Sequence, residues 1–231
     1  MGDYLKAIWE VAGSGAASTK DVAKRLSVAA PSVSNMFSRL QDNGLVGYER
    51  YRGASLTEEG LVEALRLVRR HRLIETFLLE HLGYSWEDVH DEAERLEHAV
   101  SDGFTESLAG FLGHPARDPH GAPIPSSGGI LPAEDSRPLS GAKAGERVVV
   151  SRVENRSASA LAHLRERGIV PGGAFVIREA RSLDGVVIVE DRAGGTHALG
   201  FTLAASIFVQ DPAKAAAPGM SAFLPTALAP G

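Results

Sequence analysis

The sequence has no cysteine and no apolar run long enough to span a bilayer. The missing cysteine excludes a disulfide framework, a thiolate metal site and a cysteine nucleophile. The first ten residues, MGDYLKAIWE, lack the basic-then-apolar build of a signal peptide. We therefore expect a cytoplasmic protein that has no membrane partner.

The chain also lacks a large net charge, since its formal net charge is only −5. This argues against a general polyanion binder. The negative charge is concentrated in residues 61–112, which hold five Lys or Arg against eleven Asp or Glu. Because a bound cation would offset the repulsion within this acidic segment, we expect cation binding there to be coupled to folding or docking.

The acidic segment carries imidazoles and carboxylates at helical spacing. His71 and Glu75 lie four residues apart and so share one helix face. After the break at residues 83–85, a second helix is predicted to carry a stripe of His90, Glu94, Glu97 and His98. These groups can chelate a divalent cation because each supplies a lone pair without a long loop. On this stretch alone, a solvated acidic face explains the pattern equally well.

Residues 1–60 have the element order of a winged helix-turn-helix. The pattern predicts helices over residues 3–12, 20–26 and 31–43, followed by a hairpin formed by LVGYE and ASLT. Pro31 suits a first turn, and Gly44 is the expected stop of the third helix. That helix is predicted to bury Val33, Phe37 and Leu40.

The outward side chains of the third helix suit a helix that lies in a major groove. They are short hydrogen-bonding groups and one guanidinium: Ser32, Ser34, Asn35, Ser38 and Arg39. Arg50 and Arg52, at the hairpin tip, are expected to reach phosphates. The alternative is an ordinary polar surface helix with a hairpin.

The remaining chain divides by composition. We predict a DNA-binding domain over 1–60, a helical dimerisation and metal-binding domain over 61–125, a linker over 126–143, a small β-barrel over 144–211 and a frayed tail over 212–231. In the helical domain, the predicted helix 101–112 carries an apolar stripe that we expect to form part of a dimer core: Phe104, Leu108, Phe111 and Leu112.

Three motifs follow the winged helix in order: RRHRLIETFL (69–78), VHDEAERLEH (89–98) and DPHGAPIP (118–125). On these motifs the chain resembles the long form of the diphtheria toxin repressor (DtxR) family, over about residues 1–211. The resemblance implies a mainly α fold with β structure: a winged helix, a helical dimerisation and metal domain, and a Src-homology-3-like (FeoA-like) barrel. It also implies a homodimer that binds palindromic operator DNA.

The resemblance further implies two metal positions. The activating position would use Asp3, Glu94, Glu97 and His98. The ancillary position would use His71, Glu75 and His90. The residues that line up with the family's DNA contacts are Pro31, Ser34, Asn35 and Arg39.

The residue types favour manganese. The iron-sensing branch of the family has methionine and cysteine where this chain has Asp3 and Glu94, so the two carboxylates resemble the manganese-sensing branch. Mn²⁺ is a hard cation that prefers oxygen ligands. We therefore predict a Mn²⁺-dependent repressor of manganese homeostasis genes. Fe²⁺ is the alternative activator, and Zn²⁺, Co²⁺ or Cd²⁺ can occupy such sites in vitro.

The chain departs from the family at two places. Short manganese sensors place a glutamate where this chain has Lys6, so their closely spaced two-metal cluster is not assumed here. The barrel positions that donate ligands in the family align with Ser157 and Ala160, and Glu154 and Asn155 lie nearby. Whether the barrel supplies a ligand is therefore left open.

Two other classes of function compete with this interpretation. A winged-helix regulator could sense an organic ligand and leave the His/Glu stripe solvated. A carboxylate-bridged metalloenzyme would need Glu-x-x-His pairs, whereas Glu94 and His98 lie four residues apart. No HExxH motif and no Ser/His/Asp set stands out, so we do not expect an enzyme.

Overall fold

The computed structural model describes residues 1–13, 15–154, 157–181 and 185–215. Its helices are α1 Gly2–Ala12, α2 Thr19–Leu26, α3 Ala30–Asp42, α4 Glu58–Leu82, α5 Val89–Leu96, α6 Asp102–Phe111, α7 Ala158–Glu166, α8 Phe201–Ala205 and α9 Pro212–Ala215. Its strands are β1 Val46–Glu49, β2 Gly53–Leu56, β3 Arg137–Pro138, β4 Arg147–Val153, β5 Ala174–Arg181, β6 Val186–Glu190, β7 Thr196–Gly200 and β8 Ile207–Gln210. Among the described residues, every helix is too short or too polar to cross a membrane.

The chain forms two compact units. The first contains Met1–His71, Ala99–Ser107 and Ile124–Pro132. The second contains Arg72–His98, Leu108–Pro123 and the described chain from Ala133 onward.

The first unit contains the predicted winged helix-turn-helix. The Ser18 side chain caps α2 by accepting a hydrogen bond from the backbone N–H of Asp21. The hairpin pairs β1 with β2 in antiparallel register. The core of this unit contains fully buried side chains from α1, α2 and α3: Ile8, Val22, Val33, Phe37 and Leu40.

The wing is joined tightly to the start of α4. The Thr57 hydroxyl donates to the carbonyl of Gly44 and accepts from the backbone N–H of Gly60. A Cβ atom at Gly60 would lie 1.9 Å from the Leu45 carbonyl oxygen. Only glycine therefore permits this close approach of α4 to the wing.

The RRHR part of the first motif anchors neighbouring segments of the first unit. Arg69 forms a bidentate ion pair with Glu106 of α6 and also donates to the carbonyl of Pro125. Arg70 pairs with Asp102 at the start of α6. Two parallel N–H···O bonds fix orientation as well as distance. These arginines thus hold α6 and the 124–132 loop to α4 within this unit.

The second unit has a six-stranded antiparallel sheet in the order β3-β8-β4-β5-β6-β7. Its core combines inward residues of the strands with the apolar face of α7, led by Leu161, Leu164, Ile177, Leu199 and Ile207. Strand β7 and helix α8 are not predicted from the sequence.

One prediction about α5 is wrong. The helix ends at Leu96, so Glu97 is its C-cap and His98 lies in the following turn. At its start, Asp88 is the N-cap, and its side chain makes no capping hydrogen bond. The predicted frayed tail over 212–231 begins with a short helix, α9, over Pro212–Ala215. The rest of the tail and Asn155 lie outside the described residues.

Candidate metal centre

Four ligand-type side chains meet in the second unit, and we call them the buried cluster: Glu75 from α4, His90 from α5, and Asp118 and His120 from the loop after α6. One carboxylate oxygen of Glu75 lies 3.0 Å from Nδ1 of His90. The other lies 3.8 Å from Nδ1 of His120. Three ligand atoms lie within 4.8 Å of one another, one each from Glu75, Asp118 and His120. Each of these three residues is less than a tenth exposed.

The surroundings of His120 fix which of its nitrogens can bind a metal. Its Nε2 lies 2.9 Å from the backbone carbonyl oxygen of Trp86, and a carbonyl can only accept. Nε2 therefore carries a hydrogen, and the lone pair of the neutral ring is on Nδ1, which faces Glu75. A carbonyl that accepts from the outer nitrogen of a metal-binding histidine is a common supporting contact in metal sites.

Asp118 is held in place by both of its carboxylate oxygens. Oδ1 accepts from the backbone N–H groups of His120 and Ala122, each at 2.9 Å. Oδ2 lies 3.4 Å from Nε of Arg72, whose guanidinium also donates to the carbonyl of Pro123. The loop and Arg72 therefore fix the orientation of Asp118.

This loop is fixed against β4. A Cβ atom at Gly121, where φ is +89°, would lie 2.1 Å from the carbonyl oxygen of Ser151. Glu134 accepts from Arg117, Ser151 and Arg152 and so links the start of the loop to the strand. Burial alone would raise the pKa of Glu134, but these donors outweigh burial and lower it.

The electrostatics of the buried cluster suit a cation. Burial raises the pKa of Asp118, and the negative charge of Glu75 raises it further, because the two carboxylates lie close together away from water. Burial alone would lower the pKa of His120, but the Glu75 carboxylate raises it overall, because it can accept from Nδ1–H of the protonated ring and its charge favours that form. Buried carboxylates need a compensating positive charge, and a divalent ion supplies one.

The residues predicted for the activating position lie at two places in the chain. Asp3 is in the first turn of α1, in the first unit. Glu94 is in the last turn of α5, and the fully buried Glu97 caps that helix. Nε2 of His98 lies 3.7 Å from a carboxylate oxygen of Glu97. A carboxylate that is fully buried is a group that needs a charged partner or a metal.

The predicted ancillary set is placed in part as expected. Glu75 and His90 meet in the buried cluster. His71 lies one turn before Glu75 on α4 and is buried, and its Nδ1 has Lys6 of α1 as a neighbour in the first unit. On the barrel side, Glu154 pairs with Arg152.

Asp118 and His120 are the candidate ligands that sequence reasoning missed. Both belong to the DPHGAPIP motif, which served only as a family signature. The sequence feature that marks these two residues is an Asp-x-His pair in a loop, where helical periodicity gives no guidance. Their proximity to Glu75 requires a contact between residues more than forty positions apart.

The predicted DNA-contact residues lie on the surface of the first unit. On α3, Pro31, Ser32, Asn35 and Arg39 are exposed and Ser34 is half-buried. Val33, Phe37 and Leu40 occupy the opposite face and are fully buried. Arg50 and Arg52 are exposed at the hairpin tip, where Arg52 pairs with Glu49.

Three family models match the chain in sequence. The N-terminal DNA-binding domain of the iron-dependent repressors matches residues 1–54. The metal-binding and dimerisation domain of the same repressors matches residues 57–126. A FeoA domain matches residues 137–211.

Solved structures match the chain over nearly its whole length. A manganese-dependent transcriptional repressor in complex with manganese is 37% identical with a TM-score of 0.85, over 91% of this chain and 99% of that chain. This protein belongs to the diphtheria toxin repressor family of metal-dependent transcriptional repressors. Another solved member, ScaR with bound Zn²⁺, is 33% identical with a TM-score of 0.80, over 91% of this chain and 98% of that chain.

Among curated members of the family, the iron-dependent repressor IdeR of Mycobacterium tuberculosis is 37% identical over 123 residues. That alignment covers 53% of this chain and 54% of the relative, so the chain spans about half the length of this relative. The predicted fold is confirmed by the family matches: a winged helix, a helical metal-binding domain and a FeoA-like β domain. Family members are repressors and not enzymes, as predicted.

We expect the metal-free protein to lose stability as the pH rises past neutrality. Because the pKa of His120 in the folded state is raised above its unfolded value of 6.5, its stabilising contribution is complete below that value. The contribution disappears as the pH rises through the folded pKa. The difference in Tm between the chelator-treated wild type and His120→Gln should therefore be largest in mild acid.

The measurement is thermal unfolding of both proteins from about pH 5 to about pH 9. His81→Gln, at a side chain that is 40% exposed, is the matched histidine control in the same unit. A difference between the wild type and His120→Gln that stays constant over this range would contradict the assigned interaction with Glu75.

Proposed function

We propose that this protein is a cytoplasmic, Mn²⁺-activated repressor whose homodimer binds palindromic operator DNA and controls manganese homeostasis genes. The observation that carries the proposal is the buried cluster, in which imidazole and carboxylate groups converge. An organic-ligand sensor would not require a histidine whose Nδ1 lone pair is aimed at a buried carboxylate.

Two sets of ligands are proposed. The activating set is Asp3, Glu94, Glu97 and His98, and the fully buried Glu97 supports it. The second set is the predicted His71, Glu75 and His90, to which Asp118 and His120, beside Glu75, are added. The DNA contacts are Pro31, Ser32, Ser34, Asn35, Arg39, Arg50 and Arg52, on the exposed side of α3 and at the wing.

The donor chemistry supports manganese over iron. Asp3, Glu94 and Glu97 offer carboxylate oxygens, and Asp118 adds another at the second set. Hard, weakly polarising Mn²⁺ depends on oxygen-rich coordination because it stands lowest in the divalent affinity order. The solved manganese-dependent repressor supports the same choice, and the iron-dependent curated relative is the reason to test Fe²⁺ alongside it.

We propose that the metal controls DNA binding by shifting the population of dimers towards a DNA-binding arrangement. Asp3 belongs to the helix that precedes the DNA-reading elements, whereas Glu94, Glu97 and His98 belong to α5 and the turn after it. When Asp3 and the α5 ligands hold one divalent ion together, they restrict the relative arrangements open to the two winged helices of a dimer. An arrangement that matches successive half-sites is favoured, and DNA in turn strengthens metal binding.

Operator binding should depend on the metal. We expect chelator-treated protein to bind a candidate palindromic promoter weakly and to bind it tightly when Mn²⁺ is added, with a smaller effect of anaerobic Fe²⁺. Fluorescence anisotropy at fixed ionic strength, with separate titrations of Mn²⁺, Fe²⁺ and Zn²⁺, measures this. Equal activation by Mn²⁺ and Fe²⁺ would contradict the proposed preference for manganese. Operator binding that does not change with any metal would contradict the proposed control by metal.

Asp3→Met should weaken Mn²⁺-dependent operator binding or shift the metal preference towards iron, because a thioether replaces a hard oxygen ligand. The measurement is the concentration of each metal that half-activates operator binding. Glu59→Met, which removes an exposed carboxylate from the first turn of α4, is the matched control. A metal response identical to that of the wild type would exclude Asp3 from the site.

The two classes of DNA contact should respond differently to substitution. Arg52→Ala should weaken binding to all sequences alike and reduce the slope of log affinity against log salt by about 1, because a phosphate contact is lost. Arg39→Ala, on the recognition helix, should also reduce discrimination between operator and altered sites. Arg66→Ala, on an exposed arginine of α4, is the control. Equal effects of Arg39→Ala on all sequences would contradict base reading by this residue.

A further inference from the structure

The tip of the wing carries an aromatic side chain that packs against no core. Tyr51 is 93% exposed, and its backbone has a φ of +71°. The guanidinium carbon of Arg50 lies 5.3 Å from the centre of the Tyr51 ring, within the range of a cation–π contact. A bulky residue with positive φ is a true outlier, and such outliers occur most often at functional sites.

The turn at the tip would suit a smaller residue. The backbone N–H of Arg52 donates to the carbonyl of Glu49 at 3.0 Å, so residues 49–52 form a tight turn with Tyr51 in its third position. A third turn position with positive φ usually holds glycine or asparagine. Glycine would form the same turn with less strain, so the ring of Tyr51 is not there for the sake of the turn.

The base of the wing is fixed to the helices that would read DNA. Ala17, just before α2, and Ala54 of β2 exchange two backbone hydrogen bonds, of 2.8 and 3.0 Å. A Cβ atom at Gly53 would lie 2.2 Å from the Ala17 carbonyl oxygen. The rings of Phe37 on α3 and Tyr48 on β1 are in edge contact, with 5.3 Å between their centres. The tip therefore projects from a base whose position relative to α3 is set by packing.

The two arginines of the tip have different neighbours. Arg52 pairs with the carboxylate of Glu49 at 3.1 Å, so part of its charge is already compensated. Arg50 lies against an aromatic face, and this contact does not use the in-plane N–H donors of the guanidinium. A side chain that is held in this way loses less freedom when it binds a further partner.

The minor groove of A·T-rich DNA is a partner of the right chemistry for such an arginine. That groove is narrow and has an enhanced negative potential, which attracts arginine. A·T pairs present only acceptors in the minor groove, whereas guanine places an amino group there. Homeodomains show the corresponding division of labour, since a helix reads the major groove while an arm of the same domain reaches the adjacent minor groove.

We propose that Arg50, positioned by the Tyr51 ring, enters the minor groove beside each half-site and selects A·T base pairs there. Arg50 is then a specificity-determining residue and Tyr51 a positioning residue, while Arg52 contacts phosphate. The operator is read at two places, in the major groove by α3 and in the minor groove by the wing. The inference rests on the proposed function, because it requires the Mn²⁺-loaded dimer to bind DNA.

The test begins with selection of DNA from a random library by the full chain with Mn²⁺, which gives the half-sites. Duplexes with these half-sites then carry A·T, G·C or inosine·C pairs at the flanking positions. Inosine·C keeps the major-groove face of G·C but, like A·T, has no amino group in the minor groove. Fluorescence anisotropy at fixed ionic strength measures the affinity for each duplex.

We expect the wild type to bind the A·T and inosine·C duplexes about fivefold or more tighter than the G·C duplex. Arg50→Ala should lose this preference. Tyr51→Gly suits the turn and should keep the Tm of the wild type but lose most of the preference, whereas Tyr51→Phe keeps the ring and should keep the preference. Arg52→Ala, the matched control at the same tip, should weaken binding to all three duplexes alike.

Three results would overturn the inference: equal affinity of the wild type for the three duplexes, an inosine·C duplex that binds like the G·C duplex, and a preference that survives in Arg50→Ala. A preference that is lost in Arg50→Ala but kept in Tyr51→Gly would contradict the positioning role of Tyr51. A selection that enriches no half-site with Mn²⁺ would overturn the proposed function as well. Enriched half-sites with indifferent flanks would overturn this inference alone.

Discussion

The carboxylate of Glu75 is the group on which the candidate metal centre depends. One of its oxygens faces His90 and the other faces His120, so a single buried side chain connects α4, α5 and the loop after α6. A buried carboxylate is unfavourable unless positive charge or hydrogen-bond donors surround it. The packing of this part of the second unit is therefore tied to the chemistry of the buried cluster.

The residues around the buried cluster determine its orientation. The Trp86 carbonyl selects the tautomer of His120, and Arg72 together with backbone N–H groups holds Asp118. Gly121 allows the loop to approach β4 closely enough for these contacts. Side chains held by such supporting groups lose little freedom when they bind a metal.

Two buried histidines have different neighbours. His120 meets a backbone carbonyl on one nitrogen and a carboxylate on the other, which favours a cation at Nδ1. Nδ1 of His71 lies 3.4 Å from Nζ of Lys6.

The sequence by itself determined the elements with strong periodicity or clear caps: α1 to α4, the wing, and the His71–Glu75 spacing. These follow from local rules, because helix and hairpin signals lie within a few residues of one another. The end of α5, strand β7 and helix α8 lacked such signals. Only the tertiary structure brought Asp118 and His120 to Glu75 and Lys6 to His71, since these contacts join residues 43 to 65 positions apart and no local pattern encodes them.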